Sequence, residues 1–172
     1  KNIVIYNNSF HNIGDGRTTA VTTDASGMSI DSNAEDIWVL DNLFHHLGGA
    51  GIKVSYDDYG YNTTRPNHIY NGRNGIHENF EHANGLKTGA DVIISQNVAY
   101  NFGDGYADFN ETGGSGIPYA DGMAPGPNDE PKKNHWFLFN VAYDVNAPAG
   151  AFSVYVGQEN MLAEDIYFIG NV

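Results

Sequence analysis

The sequence predicts an all-β fold wound as a β-solenoid of about five coils, and three observations predict it. First, a line of the form D/H-I-x-I-x-x-N returns along the whole chain. It reads NIVIYNNSFHNIGDG, DIWVLDNLFHHLGGAGIKV, HIYNGRNGIHENFEHANGLKT, DVIISQNVAYNFGDGYADF, HWFLFNVAYDVNAPAGAFSV and DIYFIGNV. Second, its asparagine recurs as Asn8, Asn42, Asn74, Asn97, Asn140 and Asn171, roughly every 23–43 residues, within the range of stacked repeats. Third, apolar residues in these lines alternate as they do in strands, with no helical period. A coil of this kind buries its apolar face only by stacking on its neighbours, so residues 1–172 are expected to form a single domain.

Taken in order, each coil opens with a strand that ends at the ladder asparagine. Two residues later stand Phe10, Phe44, Ile76, Ala99 and Ala142, an apolar column expected to point inward. The next residues are His11, His45, His77, Tyr100 and Tyr143, whose rings would lie over one another at the ~4.8 Å spacing of paired strands. A histidine column invites a metal site, but the change to tyrosine in later coils favours ring stacking.

After a glycine-containing turn comes a second strand, read as Met28-Ser29-Ile30, Ile52-Lys53-Val54, Leu86-Lys87-Thr88, Tyr106-Ala107-Asp108 and Ala151-Phe152-Ser153. Alternation sends the middle residue of each triplet outward. The outward column is then Ser29, Lys53, Lys87, Ala107 and Phe152, with two lysines on adjacent rungs. Two insertions, 55–67 and 110–134, leave from the same edge, and insertions in solenoids gather on one face, often the binding face. The shortest coil lies between them and carries Lys87. The loops are therefore expected to stand as walls of a cleft with Lys87 on its floor.

Composition narrows the function classes. The chain has no cysteine, which excludes disulfides and thiolate metal sites. Its net charge of −13 reflects 8 basic against 21 acidic residues, and no basic stripe exists to neutralise a phosphate backbone, so no nucleic-acid partner is expected. No run approaches the ~20 apolar residues of a membrane span. The chain opens on a strand and ends in mid-repeat after Asn171, which reads as a segment of a longer solenoid. End-to-end self-association or continuation into further coils would follow.

Four of the 8 basic residues, Lys53, Arg65, Arg73 and Lys87, fall in one stretch. In an acidic chain this is the region able to receive a polyanion, and an acidic polysaccharide is the expected partner. Asp57 and Asp58 stand beside them among Tyr56, Tyr59 and Tyr61. Tyrosines offer flat amphipathic faces for sugars, and paired carboxylates suit Ca²⁺. Each feature has a plainer reading: outward lysines guard sheets against edge pairing, and an Asp-Asp pair is ordinary turn chemistry. Asp104, Asp108, Glu111 and Asp121, with Asp15 in the first coil, offer carboxylates for hydrolysis by an acid and base pair.

The repeat resembles that of right-handed parallel β-helices of the pectin-lyase-like superfamily, in which polar residues at tight turns stack into ladders. The stretch HANGLKTGADVIISQNVAYNFGDGYADF is similar to a segment of family-nine pectate lyases, where a Gly-apolar-Lys strand precedes an Asn and an Asp-Gly-aromatic-Asp run. The resemblance implies a right-handed parallel β-helix, Lys87 as the base that removes the proton α to a uronate carboxylate, and Asp57 and Asp58 as calcium ligands. An ordinary lysine, with a pKa of ~10.4, is protonated at neutral pH and needs neighbouring positive charge or burial to act as a base. Lys53, Arg65 and Arg73 would supply that charge. The expected function is an extracellular or cell-surface polysaccharide lyase acting on polyuronate. The alternatives are a non-catalytic structural or adhesive solenoid that binds polysaccharide, and a glycoside hydrolase.

Overall fold

The structure is a computed structural model, and it describes residues 2–13, 26–30, 34–54, 69–77, 84–86, 90–102, 118–121, 132–145, 151–154 and 163–172. These residues contain strands and no helix. The first pass of the chain forms β1 (Ile3–Tyr6), β2 (Ser9–Ile13) and β3 (Met28–Ile30). The second forms β4 (Ile37–Leu40), β5 (Leu43–Leu47) and β6 (Ile52–Val54), and the third β7 (Ile69–Gly72), β8 (Gly75–His77) and β9 (Asn84–Leu86). Then come β10 (Ala90–Ser95), β11 (Val98–Phe102), β12 (Tyr119–Asp121), β13 (Lys132–Leu138), β14 (Val141–Val145), β15 (Phe152–Val154) and β16 (Ala163–Ile169).

Every third strand joins the same sheet. The first sheet runs β1-β4-β7-β10-β13-β16, the second β14-β11-β8-β5-β2 and the third β15-β12-β9-β6-β3, all with parallel pairing. This arrangement is consistent with a β-solenoid. It corrects one expectation, because the short step after the ladder asparagine is itself a strand, giving three strands per pass rather than two. The reason is register: Phe10↔Phe44↔Ile76 and Ala99↔Ala142 align inward residues coil on coil.

Two kinds of column hold the passes together. Inward residues of the three sheets, among them Val39, Phe44, Ile52, Ile69, Ile76, Val92 and Phe137, form one buried cluster. Their rings stack between rungs, Phe10 on Phe44 at 4.8 Å, Phe137 on Phe168 at 4.4 Å and Tyr119 on Phe152 at 4.9 Å. The line HWFLFN departs from the pattern, since His135 takes the apolar inward position opposite Val92 and is fully buried.

The second column is the asparagine ladder. Each internal asparagine uses its whole amide: Oδ1 accepts the backbone N–H and the Nδ2–H of the asparagine one pass earlier. Its own Nδ2 donates to the asparagine one pass later and to a backbone carbonyl of the preceding pass. For Asn74, Oδ1 accepts from Asn42 at 2.8 and 3.1 Å, while Nδ2 donates to Asn97 Oδ1 at 3.0 Å and Val39 O at 3.1 Å. The amide thus bridges adjacent passes with no donor or acceptor wasted in a buried site. Asn71, buried at an inward position, joins by accepting a further bond from Asn74 Nδ2.

The residue before each ladder asparagine turns the chain through the left-handed region. Asn7, Asp41, Arg73, Gln96, Phe139 and Gly170 there have φ between +54° and +63°. Asparagine, aspartate and glycine suit this geometry, whereas Arg73, Gln96 and Phe139 hold it at a cost of ~1–2 kcal/mol each. At Gly170 a Cβ would lie 2.5 Å from the Phe139 ring, so both conformation and space require glycine.

Tyr119 carries a prediction for alkaline pH. Burial holds its phenol proton well above the usual tyrosine range, and its hydroxyl donates to Val141 O at 3.2 Å. The unfolded phenol ionises at ~10, so the stability it contributes is complete below that pH and is lost as pH rises beyond it. Tyr119→Phe is expected to flatten the alkaline limb of a denaturation-versus-pH series; an unchanged limb would contradict this.

Candidate functional site

Function on this scaffold depends on what the sheets present outward. On the second sheet the outward rings stack without a break: His11 on His45 at 5.0 Å, His45 on His77 at 5.0 Å, His77 on Tyr100 at 4.6 Å and Tyr100 on Tyr143 at 5.1 Å. His46 adds an edge contact to His45, their Nδ1 atoms 2.7 Å apart. Among the described residues no group of three or more His, Cys, Asp or Glu could hold a metal ion. The expected ring stacking runs through the whole column.

The third sheet presents a different outer surface. Register places Ser29, Lys53, Gly85, Ala120 and Ser153 on successive rungs. Lys53 is half-buried and central in β6, and every other residue type on the row is small. This corrects the expected pairing of Lys53 with Lys87, because Gly85 is the rung neighbour of Lys53. A strand shifted by two residues keeps every side chain on its own face, so alternation alone could not choose between the two registers. Lys87 follows β9 directly and lies outside the described residues. The position expected for Tyr106-Ala107-Asp108 between β9 and β15 is filled by Tyr119-Ala120-Asp121, and Tyr106–Asp108 lie outside the described residues. Phe152 was expected outward, but it stacks on the buried Tyr119 and packs against the core. A one-residue shift of β15 exchanges its faces.

Other expected site residues fall elsewhere. Arg73 sits at the turn between the first and second sheets, with Nε donating to Asp41 Oδ1 at 2.8 Å and Nη2 to Oδ2 at 2.5 Å. Its guanidinium is exposed and holds the Asp41 carboxyl below its ordinary range, chiefly through the hydrogen bond. Arg73 thus lies at the turn after β7, whereas Lys53 lies within β6 of the third sheet. Tyr56, Asp57, Asp58, Tyr59, Tyr61 and Arg65 lie outside the described residues, as do Asp15, Asp104, Asp108 and Glu111. Segment 55–67 lies outside them too, while 110–134 contains β12 and runs into β13.

The Asp41–Arg73 pair gives an acid-side expectation. A depressed carboxyl contributes stability above its unfolded pKa, and that contribution is lost as pH falls through the folded value. Exposed pairs are screened by salt, so Arg73→Ala should alter the acid limb slightly and only at low ionic strength. A large change that persists in high salt would contradict this.

The first sheet carries residues that the sequence reading did not single out. Its outward position, the x of D/H-I-x-I, is Val4, Trp38, Tyr70, Ile93, Trp136 and Tyr167 on successive strands. The signal was present, since this position is aromatic in four lines of the repeat. No protein-family model matches the chain, and no curated protein and no solved structure matches it significantly.

Proposed function

We propose that the chain is an extracellular right-handed parallel β-helix of the pectin-lyase-like kind that binds an acidic polysaccharide on its third sheet and cleaves it by β-elimination. One observation supports this reading above others: among the described residues, register aligns Ser29, Lys53, Gly85, Ala120 and Ser153 on successive rungs of the third sheet, a lysine among small residue types. The corresponding rows of the other two sheets carry larger residues, most of them rings. A row of small residues leaves room for a polymer chain to lie close to the backbone, and Lys53 supplies charge for a uronate carboxylate. The chain then enters Lys87 immediately after β9.

In this reading Lys87, unprotonated, removes the proton on the carbon α to the carboxylate. The electron pair forms the new carbon–carbon double bond as the β carbon–oxygen bond breaks, and the leaving oxygen takes a proton from solvent. Lys53 holds the carboxylate and disfavours a second positive charge nearby. Arg73 belongs to its pair with Asp41 and has no part in the step. Calcium at Asp57 and Asp58 belongs to the same proposal, where its charge would neutralise the substrate carboxylate.

The test is unsaturated product, followed by ultraviolet absorbance on polygalacturonate with and without chelator. Lys87→Ala should lower kcat by at least ~10²-fold, the scale of a general base, and Lys53→Ala should act mainly on KM. A Lys87→Ala protein that cleaves as well as the parent would refute the assignment. The unbroken ladder and ring stacks also favour a second reading, a stiff non-catalytic rod that binds polysaccharide; product from neither protein would favour it.

A further inference from the structure

The residues that follow the ladder asparagines are not alike. Asn74 precedes Gly75, whereas the others precede a residue with a side chain, Ser9, Leu43, Val98, Val141 or Val172. Asparagine is a chemically labile residue, and it is most labile before glycine, where no Cβ hinders the next peptide nitrogen from approaching the side-chain carbonyl. Nothing in the fold requires the glycine. Gly75 opens β8, its φ is not left-handed, and a Cβ there would meet only the end of the Leu43 side chain, at 3.4 Å. By contrast Gly72, which follows Asn71, leaves room for the Tyr70 ring, which a Cβ would approach to 2.8 Å.

While the passes are closed, reaction between the two residues is blocked at both atoms. The Asn74 side chain is buried. Its Oδ1 accepts from Asn42 N and Nδ2, and its Nδ2 donates to Val39 O, Asn71 Oδ1 and Asn97 Oδ1, so the amide cannot turn toward Gly75. The Gly75 nitrogen donates to Asn42 O at 3.0 Å, which engages the proton it would have to lose. These restraints run mainly between passes, through Val39, Asn42 and Asn97. They are lost together when the third pass parts from its neighbours, and a solenoid can open in this local way because each pass touches only the next.

We infer that Asn74 is a site of spontaneous deamidation, shut while the ladder is closed and used when the third pass opens. In the open chain the Gly75 nitrogen gives its proton to hydroxide and attacks Asn74 Cγ. The Cγ–Nδ2 bond breaks, ammonia leaves, and a cyclic imide joins the two residues. Water then adds to either imide carbonyl and opens the ring to aspartate or isoaspartate. One water is taken up, one ammonia is released, and nothing is oxidised. Neither product fits the ladder. Aspartate lacks the donating half of the amide and brings a charge into a buried site. Isoaspartate adds a carbon to the main chain between β7 and β8, both held in register with the passes on either side. Opening is thereby recorded covalently and reclosure is opposed, which limits the life of a chain whose ladder has once come apart. The site is independent of the polyuronate reading.

The test holds the full chain at mildly alkaline pH, with and without urea below its unfolding midpoint, and maps its peptides by mass spectrometry. Fragmentation separates Asn74 from Asn71, and labelling by isoaspartyl methyltransferase marks the isoaspartate. Asn74 should remain an amide without urea and convert in urea, at a rate that follows the population of the open form. Asn97, a ladder asparagine followed by valine, should stay unchanged in the same samples. Gly75→Ala should fold as the parent does and lose the conversion at residue 74. Converted protein freed of urea should recover less β-sheet circular dichroism than protein exposed to urea too briefly to convert. The inference is overturned if Asn74 does not convert in urea, converts equally without it, or converts no faster than Asn97. It is overturned as well if Gly75→Ala converts like the parent or if converted protein refolds fully. Should Gly75→Ala lose its circular dichroism, the comparison of Asn74 with Asn97 in the parent decides.

Discussion

Asn97→Asp is expected to remove most of the stability of the chain. Asn97 is fully buried in the middle of the ladder. Its Oδ1 accepts from Asn74 N at 2.9 Å and Asn74 Nδ2 at 3.0 Å, while its Nδ2 donates to Asn71 O at 3.1 Å and Asn140 Oδ1 at 3.2 Å. An aspartate keeps the accepting half and loses the donating half. Its second oxygen would face two acceptors, and its charge would have no cation to offset desolvation. Losing two buried bonds and burying a charge costs about 3–5 kcal/mol or more, against a typical total of ~5–15 kcal/mol. Asn97→Ala, which leaves partners unsatisfied without adding charge, should cost about 2–4 kcal/mol. Burial would raise the new carboxyl's pKa, so the defect should ease as pH falls and the group becomes protonated. Denaturant titration of both variants checks the order; an aspartate variant within ~1 kcal/mol of the parent would show that the ladder is ornamental.

Phe44→Ala should rank next. The ring is fully buried, stacked on Phe10 in the pass before and aligned with Ile76 in the pass after. Truncation removes a stacked contact and leaves a void between passes that the ladder holds at fixed spacing, so the site has little freedom to collapse. A loss of about 3–5 kcal/mol is expected by thermal or denaturant unfolding. Phe44→Leu, which refills most of the volume, should recover more than half. Equal losses for the two would mean that stacking, and not volume, dominates this column.

Much of this architecture was legible in the sequence because one chemical requirement repeats. An asparagine that bridges passes has to sit at one place in every coil, so Asn8 to Asn171 gave the stacking direction, and Phe10, Phe44 and Ile76 gave the inward face. The ring column from His11 to Tyr143 followed from the same register. The third sheet was less legible. Its strands are three residues long, and a triplet such as Asn84-Gly85-Leu86 carries too little pattern to separate registers that differ by two residues. The chain also offers Tyr-Ala-Asp twice, at 106–108 and 119–121, and nothing local distinguishes the copy that stacks on Phe152. The site was the least legible part. Lys53 was read correctly as outward, but its neighbour depends on that ambiguous register, and Arg73 was grouped with it by closeness in sequence although a turn and a sheet separate them. The aromatic row of the first sheet was visible in the repeat lines, yet it sat in the position treated as variable.

The central proposal is that the third sheet around Lys53, together with Lys87, acts on polyuronate by elimination. Mass spectrometry of the products from polygalacturonate tests it most directly, because elimination and hydrolysis differ by one water for each bond cleaved, carried at the new non-reducing end. The account predicts oligomers one water lighter than the saturated series, carrying an unsaturated end, with the yield abolished in Lys87→Ala. Saturated oligomers whose yield is indifferent to Lys87 would contradict it.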